Sequence, residues 1–276
     1  MNVLTNTQTR ILSSLGMITL VVAAFLLGQM AVLCFVFLVM LLTHDEIYCN
    51  LIKEKRFGKG YFLSGALVFL PYLVFVILFQ ALPFWGLFTN LAILLCVLLV
   101  GYLFYADFNS DFVVKKIQAY PWVAGIYTSL FSLSLGALLL REDWKSIIWL
   151  AFFITFGMDT GAWFVGVRWG KRKLWATVSP KKTVEGLLGG ALIAGICGGI
   201  VANIIWGEMN LLWFLLFVFL GLVSQIGDLI QSKFKRQFGV KDSSSLIPGH
   251  GGVYDRIDSL IFMTPILLGV LKFIGR

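Results

Sequence analysis

Three aspartates, Asp228, Asp255 and Asp258, stand in a stretch rich in lysine, arginine, glycine and serine. Asp228, Ser232 and the Lys235-Arg236 pair follow one another at helical spacing, which stacks them on one face of a helix that is otherwise apolar. A carboxylate inside a membrane is costly and marks a functional site or a paired charge. Asp255 and Asp258 share a face of the next helical segment, and with Asp228 they form a donor set for Mg²⁺, which takes a few carboxylate oxygens together with substrate phosphates and water. Arg256, Lys235, Arg236 and Lys241 are then available for phosphate oxygens. Acids that hold a metal, with basic residues around them, are what phosphoryl or nucleotidyl transfer requires: the ion offsets charge developing on the transferred group and on a leaving pyrophosphate.

Between the two helical segments runs a polar loop, Gly239 to Gly252, with serines at 243, 244 and 245. Gly251 and Gly252 let the backbone approach a phosphate closely, and the loop can form an anion-binding concavity. Lys241 and Asp242 belong to the same candidate substrate surface. His250, between glycines, fits a general base, a phosphate contact or a loop-shaping residue equally well. A second cluster lies upstream. Asp159 sits in an apolar run, six basic residues fall between Arg168 and Lys182, and Ser179-Pro180-Lys181-Lys182-Thr183 precedes Glu185. Ser179 as N-cap with Pro180 at the first helical position predicts a helix start there, whose free N–H groups would favour an anion. His44-Asp45-Glu46 reads as an interfacial cap rather than a catalytic acid pair.

The elements that position these residues are set by the bilayer. With 59% hydrophobic residues, 13% charged and mean hydropathy +0.91, the chain lies far from soluble domains, in which about 25% of residues are charged. Its long uncharged runs suit a hydrocarbon slab about 30 Å thick. The pattern predicts an all-α polytopic protein with about nine spans, near 11–28, 30–50, 62–82, 84–106, 119–140, 146–167, 184–206, 211–231 and 254–274. Ile11 to Gly28 reads as a retained span rather than a cleaved leader. Basic residues fall in alternate loops, including 53–59, 168–182 and 233–256, which puts the N-terminus in the cytoplasm, although Lys272 and Arg276 then fall outside. The expected turns between the other spans are Gly28-Gln29, Pro83-Phe84, Arg141 to Lys145 and Gly207 to Asn210.

Two regions follow: an N-terminal membrane region, 1–118, and a C-terminal catalytic region, 119–276, with cytoplasmic loops 168–183 and 232–254. The net charge of +8 is explained by these loops and by lipid head groups, and no nucleic-acid motif accompanies it. Cys34, Cys49, Cys96 and Cys197 are scattered singly, without metal or disulfide spacing.

Ser232, Lys235, Arg236, Lys241, Asp242, Ser244, Pro248, His250, Gly251, Gly252, Asp255, Arg256 and Asp258 follow without a gap the signature of the phosphatidate cytidylyltransferases, or CDP-diacylglycerol synthases, and the chain resembles that family. The segments Asp159 to Gly166 and Ser179 to Gly186 are similar to further family motifs, while Ala176 and Ser244 depart from the commoner Pro and Gly. The resemblance implies Mg²⁺-dependent reaction of CTP with phosphatidic acid at the cytoplasmic face, yielding CDP-diacylglycerol and pyrophosphate. Asp228 and Asp255 would be metal ligands with Asp258 supporting them, and a second ion is an alternative. Ser232, Lys235, Arg236, Lys241 and Lys182 would hold phosphates. Expected partners are CTP, the lipid phosphate, membrane lipids and a second copy of the chain, in a bacterial inner membrane. Rival readings are a CTP-dependent enzyme for ether or isoprenoid lipid phosphates and, in another class, an anion transporter, against which the lack of an internal repeat argues.

Overall fold

The computed structural model describes residues 6–80, 84–108, 110–207 and 210–274. Pro83, Glu208, Met209 and Arg276, on which parts of the expected turns and of the charge count rest, lie outside them. The elements in chain order are α1 (Asn6–Leu27), α2 (Gln29–Asp45), α3 (Lys59–Pro71), α4 (Trp85–Tyr105), α5 (Phe112–Ala119), α6 (Val123–Leu139), α7 (Trp144–Trp169), β1 (Lys173–Trp175), β2 (Ser179–Thr183), α8 (Val184–Trp206), α9 (Leu211–Gln237) and α10 (Tyr254–Phe273). A π-helical segment prolongs α2 through Glu46–Leu51, and another prolongs α3 through Tyr72–Leu78, immediately after Pro71. Proline has no N–H to continue the α pattern.

Seven helices among the described residues are long and apolar enough to cross a membrane, and the count is eight with α5 and α6 taken as one bent span. The α5–α6 pair turns by 88° across a break that contains Pro121. In α10, 20 residues long, Asp255, Arg256, Asp258 and Lys272 interrupt the apolar character.

Two compact units make up the chain, each drawn from separate stretches of sequence. The first holds residues 1–88, 109–140 and 237–257. In it α6 packs on α2 and α3, and Gly125 lies so close to the Ser64 carbonyl that any Cβ would strike it. The second holds residues 89–108, 141–236 and 258–276. Its centre is the α7–α8 pair, joined through small residues. At Gly190 a Cβ would come within 2.6 Å of the Met158 carbonyl oxygen and 2.9 Å of the Ala162 nitrogen. Gly186, Gly190, Ala194 and Gly198 recur every fourth residue of α8, the close-approach pattern of helices that pack in lipid. Towards its C-terminal half, Gly195 and Gly198 of α8 receive Phe214 and Phe217 of α9.

One local expectation is corrected. Ser179 does not cap a helix: Ser179–Thr183 is a strand that pairs antiparallel with β1, Trp175 opposite Ser179 and Lys173 opposite Thr183. The N-cap of α8 is Thr183, whose hydroxyl accepts from Gly186 N at 3.1 Å. A threonine in extended conformation can serve a helix start as a serine does, and Ser-Pro suits the start of an edge strand as well as that of a helix.

Candidate active site

In the second unit the polar stripe of α9 is centred on Asp228. Its Oδ2 accepts from Lys182 Nζ at 2.5 Å and from Gln225 Nε2 at 3.4 Å, and its Oδ1 accepts from Ser232 Oγ at 3.1 Å. The stacking of Asp228 and Ser232 one turn apart is as the spacing predicts. Lys182 comes from β2, so the hairpin that replaces the expected helix start delivers the counter-charge. Both partners are mostly covered, with side-chain exposures of 22% and 25%. A carboxylate on a helix this apolar needs such a partner, because an unpaired buried charge is strongly destabilising.

Lys235 is buried, and its charge acts on both Asp228 and Asp258. Asp258, half-buried on α10, also feels Asp228 and Lys182, and its Oδ1 accepts from Ser259 N at 2.8 Å. Four of the expected residues, Lys182, Asp228, Lys235 and Asp258, thus form one electrostatic group, with Ser232 attached through Asp228. Arg236 follows Lys235 at the end of α9. Thr183 is committed to capping α8, Ser179 to the hairpin, and Asp159 sits exposed on α7.

The end of α9 is fixed by a residue whose charge had counted only towards the basic loop. Lys233, 1% exposed, donates to the carbonyls of Tyr102, Leu103 and Ala106 at 2.9, 3.0 and 2.6 Å. These belong to the last turn of α4 and the residue beyond it; the Tyr102 carbonyl also accepts from Ala106 N at 3.2 Å, and the helix end leaves the later carbonyls short of backbone donors. The ammonium also lies over the rings of Tyr102 and Trp175.

The first unit holds the glycine-rich loop. Gly239, Gly249 and Gly251 have positive φ, and Ile247 N to Gly251 O at 2.8 Å closes a tight turn around His250. Asp255, buried in the first turn of α10, accepts at Oδ2 from Ser243 N (2.8 Å) and Gly252 N (2.9 Å), with Ser243 Oγ 3.1 Å away and its one proton shared with the nearer Glu46. Lys241, Asp242 and Arg256 are exposed. Both ring nitrogens of His250 face serine hydroxyls of α1: Nδ1 is 2.9 Å from Ser13 Oγ and Nε2 is 3.3 Å from Ser14 Oγ. Arg10 Nε adds a bond to the Gly249 carbonyl, and Ser13 Oγ one to that of Pro248. These contacts favour the loop-shaping role among those open to His250. No spacing rule links residue 13 to residue 250, so the sequence carried no signal for them.

Glu46 is the largest surprise. Far from capping a span at the interface, it is 3% exposed and accepts four hydrogen bonds, from the side chains of Ser243 and Ser244 and the backbone of Val253 and Tyr254.

Carboxylate, serine and lysine in this arrangement suit the binding of phosphates. Among the described residues no three His, Cys, Asp or Glu side chains gather into a metal-binding group. α9 and α10 pack closely beside these acids, since a Cβ at Gly227 would meet Phe262 and the Asp258 carbonyl, and Asp228 with Asp258 is a two-carboxylate set that would fit Mg²⁺ if substrate phosphates and water complete its shell.

Comparison with known proteins agrees with the chemistry. A model of the cytidylyltransferase family matches residues 8–274. The chain belongs to that family. Among similar proteins of the cytidylyltransferase family is the phosphatidate cytidylyltransferase of Staphylococcus haemolyticus, 43% identical over 129 residues, covering 46% of this chain and 49% of the relative. That of Staphylococcus saprophyticus is 46% identical over 132 residues, and that of Staphylococcus aureus 45% over 129, with the same coverage. The chain thus spans about half the length of the curated relatives it matches.

Proposed function

We propose that this cytidylyltransferase-family chain transfers CMP from CTP to phosphatidic acid. A lipid phosphate oxygen attacks the α-phosphorus of CTP, a P–O bond forms, the bond to the β-phosphate bridging oxygen breaks, and pyrophosphate leaves. The observation that carries the proposal is the Lys182–Asp228–Ser232 group with Lys235 and Asp258 beside it, joined to family membership and to relatives named for this reaction.

Two anions must meet here, and their repulsion is what fixed cations offset. Lys182 and Lys235 neutralise the lipid phosphate and the triphosphate, and Ser232 donates to a phosphate oxygen once it releases Asp228. Mg²⁺, held by Asp228 and Asp258, would supply Lewis-acid charge stabilisation when bound. Arg236 adds positive charge at the end of α9, and in the first unit the loop that Gly251, Gly252 and His250 shape carries the exposed Lys241, Asp242 and Arg256 as its own candidate substrate contacts.

The proposed topology has nine spans, with α5–α6 as one and α10 as the last, the N-terminus in the cytoplasm and the catalytic loops facing it. In support, Arg10 and Ser13 near the start of α1 and Glu46 at the end of α2 all meet the loop that follows α9. The basic loops of the charge pattern lie on that same side by the alternation rule.

The test is to incubate the purified protein with labelled CTP, Mg²⁺ and a panel of acyl, ether and isoprenoid lipid phosphates, and to identify the product. Formation of CDP-diacylglycerol, and its loss by at least about 100-fold in Asp228→Asn, is expected. A preference for an isoprenoid phosphate, or anion flux into sealed vesicles without CTP consumption, would replace the assignment.

A further inference from the structure

We propose that Glu46, from the half of the chain that carries no signature residue, is a positioning residue that sets the glycine-rich loop and the start of α10. As a statement about catalysis it rests on the reaction proposed above.

Glu46 is the first residue of the π-helical segment that follows α2, a local widening frequently found at functional sites. Its two oxygens are used symmetrically. Oε1 accepts from Ser244 Oγ at 2.6 Å and Val253 N at 2.9 Å, and Oε2 from Ser243 Oγ at 2.8 Å and Tyr254 N at 2.9 Å. A buried carboxylate requires this number of donors to offset lost hydration. Val253 and Tyr254 supply amides at the very start of α10, where the helix dipole favours an anion. That place, which a phosphate could have taken, is filled by the protein's own side chain.

The arrangement passes directly to Asp255. Ser243, which donates its hydroxyl towards Glu46, also donates its backbone N–H to Asp255 at 2.8 Å, and Gly252 N donates to the same Asp255 oxygen at 2.9 Å. Gly252 completes the fit. A Cβ there would strike the Ser243 hydroxyl and both Glu46 oxygens. Glycine at 252 is therefore the complement of glutamate at 46, across about 200 residues of sequence.

The chemistry of the four donors predicts which changes matter. Glu46→Gln keeps the shape but replaces one acceptor by an NH₂ group, which must face a backbone N–H that cannot turn round. Glu46→Asp falls one methylene short. Glu46→Ala removes every acceptor and opens space in front of Gly252.

Two measurements on the full chain in detergent test the proposal. The first is amide hydrogen exchange over residues 243–255. Glu46→Gln is expected to speed exchange at Val253, Tyr254 and Ser243 at least about tenfold, whereas unchanged protection overturns the proposal whatever the enzyme's substrate. The second is steady-state kinetics with CTP and phosphatidic acid. Glu46→Gln is expected to lower kcat about 10- to 100-fold at a melting temperature close to that of the wild type, and full kcat in a variant with loosened exchange overturns the catalytic role.

Gly252→Ala is expected to behave as Glu46→Gln does, and to cost less when added to Glu46→Ala than when added to the native chain, because the obstructing carboxylate is gone. Equal cost in both backgrounds contradicts the proposed complementarity. If the wild type does not consume CTP, the reaction assignment falls, while the exchange experiment still decides the role of Glu46 in the loop.

Discussion

At the scale of single residues, Asp228 and Lys182 are best understood as one unit. Lys182 supplies the counter-charge to Asp228 on a spanning helix, and Asp228 keeps Lys182 folded against it. Lys182→Ala leaves the carboxylate with only Ser232 and Gln225 as donors, and a loss of about 1–3 kcal/mol in stability is expected, measured by thermal unfolding in detergent. Asp228→Asn combined with Lys182→Ala should recover most of that loss, since no unpaired charge remains, yet stay inactive in the CTP assay. Recovery of activity together with stability would show the pair to be purely structural. The stripe itself was legible from sequence because spacing on a helix is local information. Its counter-ion was legible as a residue but not as a partner, since Lys182 and Asp228 are 46 positions apart.

At the scale of elements, hydrophobic runs located the helices well because a bilayer imposes length and composition on every span. The residues 184–206, expected as a span, are α8. Differences arise where polar groups override the apolar pattern. α9 continues to Gln237, past the expected apolar span end at 231 and through the Lys235-Arg236 pair that helical spacing places on the Asp228 face, and Lys233 finds carbonyl partners there. The segment 119–140 is broken at Pro121, with α5 bent away from α6. The β1–β2 hairpin escaped prediction because Ser-Pro suits a helix start and an edge strand equally. The tightest element contact, α7 against α8, has its own expected outcome. Gly190→Leu places a large side chain against the backbone of Met158 and Ala162, and it should abolish recovery of monodisperse protein, whereas Leu188→Ala, at an exposed position of the same helix, should not. Equal recovery of both variants would contradict the close packing.

At the scale of the whole molecule, the proposed sidedness draws on two independent features, the charge pattern and the hydrogen bonds of the first unit. Charge alternation places the Lys53 to Lys59 loop and the Gly239 to Gly252 loop on one side. The bonds of Arg10, Ser13 and Glu46 bring the beginning of α1 and the end of α2 to the latter loop. In a chain with its native cysteines replaced, single cysteines at Lys53, Lys171 and Lys241 should therefore all react with an impermeant thiol reagent from the cytoplasmic side, and one at Glu142 from the opposite side. Reaction of Lys241→Cys from the outside would overturn the proposed orientation.

Lys233 places a limit on what this site can tolerate by substitution. An ammonium has three protons, and three carbonyls at the end of α4 receive them, so its directional valence is saturated. A guanidinium carries the same charge, but its donors lie in one plane as a fork suited to flat, bidentate acceptors rather than to a ring of helix-end oxygens. Arginine, the replacement that any charge-based comparison would score as harmless, is thus one that this helix end is shaped to refuse.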